Sequence, residues 1–342
     1  MTLNRRAPWL LLLLGLLSFA PKAFANSCAI PAEVAVGLPP GARPVAVEIG
    51  ILTVDILSVS DANQTFHIDA FTKVMWQDSR LADFAGCHVS PQAIWNPHLE
   101  LINSSELKTR LPPMARIGDG GRVKLVRRFT GEVTSPHTLG AFPFDSRNLL
   151  LGVSSRGYST GEVELVIAPQ STGRVGEFSV ADWAIGDHRA WVDTWEIAAI
   201  GEARSRINYE LPAQRLRGYW VTKVMFPLAL IIAMSWTVFW IDVAQLTTAI
   251  RMAATSMLTL IAFQFALAST LPRVSYLTVM DIFVFGAAVL IFLALVASVL
   301  TGVFLVAGRG DLARRLNYHG RWLLPLAFSG LVGWICLQAM SN

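Results

Sequence analysis

The chain has 342 residues, of which 53% are hydrophobic and 15% charged, with a formal net charge of +4. A charged share below the roughly 25% of globular domains excludes a uniformly water-soluble chain. The modest net charge gives no basis for binding nucleic acid.

Residues 1–25 read as a signal peptide. Arg5 and Arg6 supply the positive start, Trp9 to Phe19 the apolar run, and Ala23-Phe24-Ala25 the small-x-small cleavage pattern. The run is too short to cross a bilayer comfortably. The mature chain is therefore expected to begin near Asn26, outside the cytoplasm, where disulfides are permitted. Cys28 and Cys87 fall in that exported part, and a bond between them stays open because sequence does not carry its geometry.

Residues 26–217 read as an exported domain of short strands. Between Gln64 and Asp78, Phe66, Ile68, Ala70, Thr72, Val74 and Trp76 share one face, while His67, Asp69, Phe71, Lys73, Met75 and Gln77 share the other. Similar runs cover Val45–Leu57, Arg122–Phe129, Asn148–Val153, Glu162–Ile167, Trp191–Ile200 and Arg206–Leu211. Turn residues such as Gly118-Asp119-Gly120-Gly121 and Ser171-Thr172-Gly173 separate them. Many short strands at this spacing predict a β-sandwich or barrel.

Residues 218–342 read as membrane. Apolar segments at about 219–241, 247–270, 278–306 and 321–340 each reach the ~20 residues of a spanning helix. Export of the first domain places the C-terminus outside and the loops Asp242–Leu246 and Ala307–Gly320 inside. The second of these carries Arg309, Arg314 and Arg315 against one Asp311, which agrees with the positive-inside bias. The implied location is the plasma (inner) membrane, multi-pass, with both the N-terminal domain and the C-terminus on the periplasmic side.

The second segment is unusually polar. Arg251, Thr255, Leu258, Ala262, Phe265 and Ser269 fall on one helical stripe. Two readings fit: a helix buried in a bundle with its polar groups bonded to neighbours, or the lining of a water path, which a single helix encloses only within a symmetric oligomer. Nucleophile elbows, zinc-helix motifs, Cys-x-x-Cys pairs and phosphate loops are absent. His67, His88, His98, His137, His188 and His319 lack metal-ligand spacing. Neither catalysis nor a cofactor is expected.

Several motifs then converge. Phe142-Pro143-Phe144-Asp145, Trp76-Gln77-Asp78-Ser79-Arg80-Leu81, Trp95-Asn96-Pro97 followed by Asn103, Arg215 before Tyr219, and Leu271-Pro272-Arg273-Val274-Ser275-Tyr276 occur in this order. Together they resemble the pentameric ligand-gated ion channels of the Cys-loop superfamily, in particular the prokaryotic branch. Ser135 and Leu149 stand where animal members carry the loop cysteines. The resemblance implies an all-β immunoglobulin-like sandwich followed by an all-α four-helix transmembrane domain, assembled as a homopentamer in a lipid bilayer and passing inorganic ions.

The resemblance also implies roles. Arg251, Thr255, Leu258, Ala262, Phe265 and Ser269 would line the pore, and Arg251, with no acidic residue from 243 to 272, leans it toward anions. Phe142, Pro143, Phe144, Asp145, Arg215, Pro272 and Tyr276 would couple sandwich to membrane. Phe71 from one subunit and Ile102, Arg156, Tyr158 and Tyr209 from its neighbour would meet the ligand. These segments are poor in the stacked aromatics that hold an amine, which leaves a carboxylate, another small anion or protons as agonist. The alternative is a membrane-anchored, non-conducting ligand sensor.

Overall fold

The computed structural model describes residues 28–31, 34, 37–110, 112–198, 201–268 and 274–341. The expected signal peptide, Ser269 and Pro272 lie outside the described residues.

Thirteen strands, among the described residues, form two sheets. They are β1 (Val45–Ser60), β2 (Thr65–Gln77), β3 (His88–Val89), β4 (Leu99–Leu101), β5 (Ser104–Thr109), β6 (Met114–Ile117) and β7 (Arg122–Thr134), then β8 (Ser146–Ser155), β9 (Val163–Ile167), β10 (Gly173–Arg174), β11 (Trp183–Ile185), β12 (Arg189–Ile197) and β13 (Glu202–Arg215). The larger sheet runs β10-β1-β2-β7-β6-β3, with β5 also on β7 and β9 also on β1. The smaller runs β11-β13-β8-β4, with β12 also on β13.

Side-chain alternation explains why the sheets face each other. Phe66, Ile68, Ala70, Val74 and Trp76 of β2 are buried as the period-two pattern predicts, against Leu149, Leu151 and Val153 of β8 and Ile207 and Leu211 of β13. Trp76 meets Trp95 edge to face at 5.8 Å between centroids. Asn103 staples the sheets: its Nδ2 donates to Thr134 O (3.0 Å) and Leu150 O (2.7 Å), and its Oδ1 accepts from Gly152 N (3.0 Å). Cys28 and Cys87 are disulfide-bonded, with Cα atoms 5.6 Å apart.

Four helices follow: α1 (Gly218–Trp240), α2 (Leu246–Leu267), α3 (Val279–Val306) and α4 (Gly310–Ser341). Each is long and apolar enough to cross a membrane. A π turn at Val221–Met225 leads into Pro227 of α1. Proline has no N–H and crowds the carbonyl four residues back, and a widened turn relieves both. A capping box starts α3: Thr278 Oγ1 accepts from Asp281 N at 3.1 Å, and Thr278 N donates to Asp281 Oδ2 at 2.9 Å.

One expectation needs correction. Residues 310–320, read as loop, are the first turns of α4, which starts at Gly310 rather than near 321. Hydropathy registers only the membrane-depth part of a helix, and these turns are polar. They are helical nonetheless: Asp311 sits in the positive first turn and takes a hydrogen bond from Arg314 at 2.6 Å. Arg321 ties this region to α1 through a hydrogen bond from Nε to Phe239 O at 2.7 Å.

Candidate functional site

The loop joining β7 to β8 is where the sandwich meets the helices. Apolar spacing drives it downward: Leu139 and Phe142 are fully buried in one cluster with Val224, Leu228, Met280 and Phe283 of the helices. Phe142 packs edge to face on Trp220 at 4.7 Å. Three hydrogen bonds fix the dock. Leu139 N donates to the Tyr276 hydroxyl (2.7 Å), Val279 N to Gly140 O (3.0 Å) and Met280 N to Phe142 O (3.1 Å). The Phe142–Pro143 peptide bond is cis.

Behind the loop lies a set of four charges, with Asp145, Arg147 and Arg215 buried and Asp61 partly exposed. Arg215 donates from Nε to Asp145 Oδ1 (2.8 Å) and from Nη2 to Asp145 Oδ2 (3.2 Å) and Asp61 Oδ1 (2.8 Å). Arg147 donates from Nε to Asp145 Oδ2 at 3.0 Å and pairs with Asp61. The Trp183 indole takes both guanidiniums on its ring, Arg215 at 4.2 Å and Arg147 at 4.7 Å from the centroid. Two carboxylates and two guanidiniums cancel, and Asp61 keeps contact with water, which together permit these charges in a largely buried layer. Burial pushes the Asp145 carboxyl up, but the hydrogen bonds and charge of Arg215, with the charge of Arg147, outweigh it and hold it below the usual 3.8. Burial works against the Arg215 cation, and its bonds to Asp145 and Asp61 more than restore it.

Of the expected coupling residues, Phe142, Pro143, Phe144, Asp145, Arg215 and Tyr276 are brought to this layer; Phe144 packs against the helical cluster. Sequence reading missed Asp61, Arg147 and Trp183. Period-two alternation does place Arg147 on the face of Asp145. Nothing local marks Asp61 or Trp183.

On α2, Ala249, Ala253, Ser256, Leu260 and Leu267 are buried against the chain's own helices. The opposite stripe, Arg251, Thr255, Leu258, Ala262 and Phe265, is exposed, with Leu258 at 67% and Phe265 at 78%. The threonines are satisfied within the helix: Thr255 Oγ1 donates to Arg251 O and Thr259 Oγ1 to Thr255 O, both at 2.8 Å. Arg251 has no ion pair among the described residues. It is therefore the group on this stripe that most demands water.

At the sandwich edge the expected ligand residues separate. Tyr209 is in the core, fully buried, donating to Gly173 O (2.6 Å) and accepting from Thr53 Oγ1 (3.0 Å). Tyr158 turns inward and accepts from Trp95 Nε1 at 2.9 Å. Ile102 packs across Gly152. Arg156 is exposed and lies 3.8 Å from Glu100, which also lies 4.0 Å from Arg204. The buried Arg204 Nε has no acceptor. Phe71 lies beneath the Arg128 guanidinium (5.2 Å to the ring centroid), and Arg128 holds Asp69 through bonds of 3.0 and 2.8 Å. A partly open cavity of about 300 Å³ adjoins this edge, lined by Glu100 together with Val74, Leu99, Phe129, His98 and Arg127.

Comparison with known proteins follows the same outline. A family model described as the neurotransmitter-gated ion-channel ligand binding domain matches residues 37–215. The chain is similar to a proton-gated ion channel of Gloeobacter violaceus, 24% identical over 321 residues, covering 92% of this chain and 88% of that one. It is also similar to a gamma-aminobutyric acid receptor subunit beta-like protein of Drosophila melanogaster, 25% identical over 283 residues, covering 75% of this chain and 55% of that one.

Proposed function

The chain belongs to the neurotransmitter-gated, pentameric ligand-gated ion-channel family, a family of channels rather than enzymes, and from that membership we propose that five copies enclose an anion-preferring pore lined by α2 and opened by an acidic ligand between neighbouring sandwiches. The observation that carries the pore reading is the α2 stripe from Arg251 to Phe265, uncovered while the opposite face is packed. Lipid rejects a guanidinium by about 2.5–3.5 kcal/mol at the centre of a spanning helix and by less near its ends, where Arg251 lies. A shared water column accepts it.

Leu258 stands about 10 Å above Arg251 along the helix, at 1.5 Å per residue. Five copies of it form an apolar constriction that closes by dewetting. Five Arg251 guanidiniums, joined by the positive N-terminal ends of five α2 helices, favour anions at the mouth far from the sandwich. With the sandwich outside, that mouth is cytoplasmic and the membrane is the bacterial inner membrane.

Ligand would sit where Phe71 of one subunit faces the Arg156 and Arg204 edge of the next. Arginines rather than stacked aromatics populate both edges, which favours a small carboxylate over an amine. Tyr209, being in the core, has no place in this site. Protons stay in the panel, since the Gloeobacter relative is described as proton-gated.

Recording from the purified chain in planar bilayers, across small carboxylates, amines and pH, tests the proposal. Ligand-evoked current whose reversal potential follows a chloride gradient is the expected result. Specific ligand binding without any conductance would favour the non-conducting sensor instead.

A further inference from the structure

We propose that His137 makes the dock between the β7–β8 loop and the membrane helices proton-sensitive, so that acid releases the loop. The proposal holds whichever ligand and permeant ion the channel uses.

His137 lies in the docking loop, two residues before Leu139. Its Nδ1 lies 2.7 Å from Ser135 O. A carbonyl only accepts, so Nδ1 carries the hydrogen and Nε2 is left as a bare acceptor. Nε2 is buried and has no hydrogen-bond partner. The Gln64 amide holds the residue's own carbonyl at 3.4 Å. The neutral ring is therefore pinned, with its free nitrogen in a dry place.

The charged groups around it are Arg147 from β8, Asp61 from the β1–β2 turn and Asp145 from its own loop. Both carboxylates are already committed to Arg147 and Arg215. A proton on Nε2 adds a positive charge to a set that is otherwise balanced, and it finds no acceptor there. Burial holds the imidazole below its usual 6.5 and Arg147 adds to this; the Ser135 bond and the two carboxylates oppose it only in part.

The direction follows by linkage. The docked arrangement binds the proton less well than one in which the ring reaches water. As pH falls below about 6.5 the undocked arrangement gains, and the gain levels off below the docked value. The bonds at stake are those from Leu139 N, Val279 N and Met280 N.

The test is amide hydrogen exchange on the full chain in lipid nanodiscs, near pH 7.5 and near pH 5.5, corrected for intrinsic rates. Wild type should lose protection severalfold at 139–142 and 276–283 on acidification. His137→Asn, which keeps a donor for Ser135 O but takes up no proton, should not. Unchanged wild-type protection, or an equal loss in the variant, overturns the proposal. Should the variant fail to assemble, exchange at the histidine ring carbon decides on wild type alone. His137 must titrate below the usual histidine value of about 6.5, and a midpoint at or above it overturns the proposal.

Discussion

Arg215 grips Asp145 with two nitrogens, at 2.8 and 3.2 Å, from the final position of β13, immediately before the chain enters the membrane helices. The pair thus bonds the docking loop to the covalent junction between the two halves. Arg215 also covers the Phe142 ring, 4.8 Å from its centroid. Removing either partner unbalances the buried set by one charge; Asp61 still holds Arg215 and Arg147 still holds Asp145, so the cost stays within the ~3–5 kcal/mol of a lone buried charge. Arg215→Ala and Asp145→Ala should each lower the thermal stability of the assembled protein markedly, read by size-exclusion after heating. Arg215→Lys should recover only part of it, because an ammonium lacks the two-pronged fork. Wild-type stability in the alanine variants would show that the pair is dispensable.

The same pair sets an acid limit. Because Asp145 is held below 3.8 in the folded chain, its contribution is complete above that value. It is lost as pH falls through the folded value. Asp145→Asn should therefore flatten the stability profile below about pH 4, while lowering stability at neutral pH. A variant profile parallel to wild type throughout would contradict the assignment.

The proposed anion preference is tested by Arg251→Glu. On that proposal five carboxylates would replace five guanidiniums on the permeation path, and the reversal potential in a salt gradient should move from the chloride side toward the cation side. An Arg251 turned toward a neighbouring subunit would leave the potential where it was.

In the proposed pore a ring of Leu258 closes the path by excluding water, so a polar side chain of smaller volume should let water through. Leu258→Ser should raise the open fraction without ligand and shift activation to lower ligand concentrations. Leu260→Ser, on the buried face of the same helix, should instead damage packing without opening the pore. Equal gating in wild type and Leu258→Ser would remove Leu258 from the gate.

Closure of a 59-residue separation by Cys28–Cys87 should be worth about 2–5 kcal/mol. Cys87→Ser should unfold at lower denaturant than wild type, by an amount that reducing wild type reproduces.

Much of this layout is legible in the sequence because two periodicities are strong. Alternation in β2 places Phe66 to Trp76 inward, and long apolar runs mark four helices. The start of α4 escapes because its first turns are polar and carry no apolar run. Docking-layer residues with a chain-order motif, Phe142 to Asp145 and Arg215, are readable. Asp61 and Trp183 are not, since their role exists only after the turn between β1 and β2 and strand β11 are folded against β8 and β13. Tyr209 shows the opposite failure. Its place in a strand fits either face, and only the observed register against β8 commits it to the core.

The water path itself is tested most directly by labelling single cysteines with a charged, membrane-impermeant thiol reagent in a Cys336→Ser background, which removes the free thiol. The account predicts rapid labelling at Thr255→Cys and Leu258→Cys in the reconstituted pentamer and little at Ser256→Cys and Leu260→Cys. Labelling at 256 and 260 with 255 and 258 silent in every condition would contradict it.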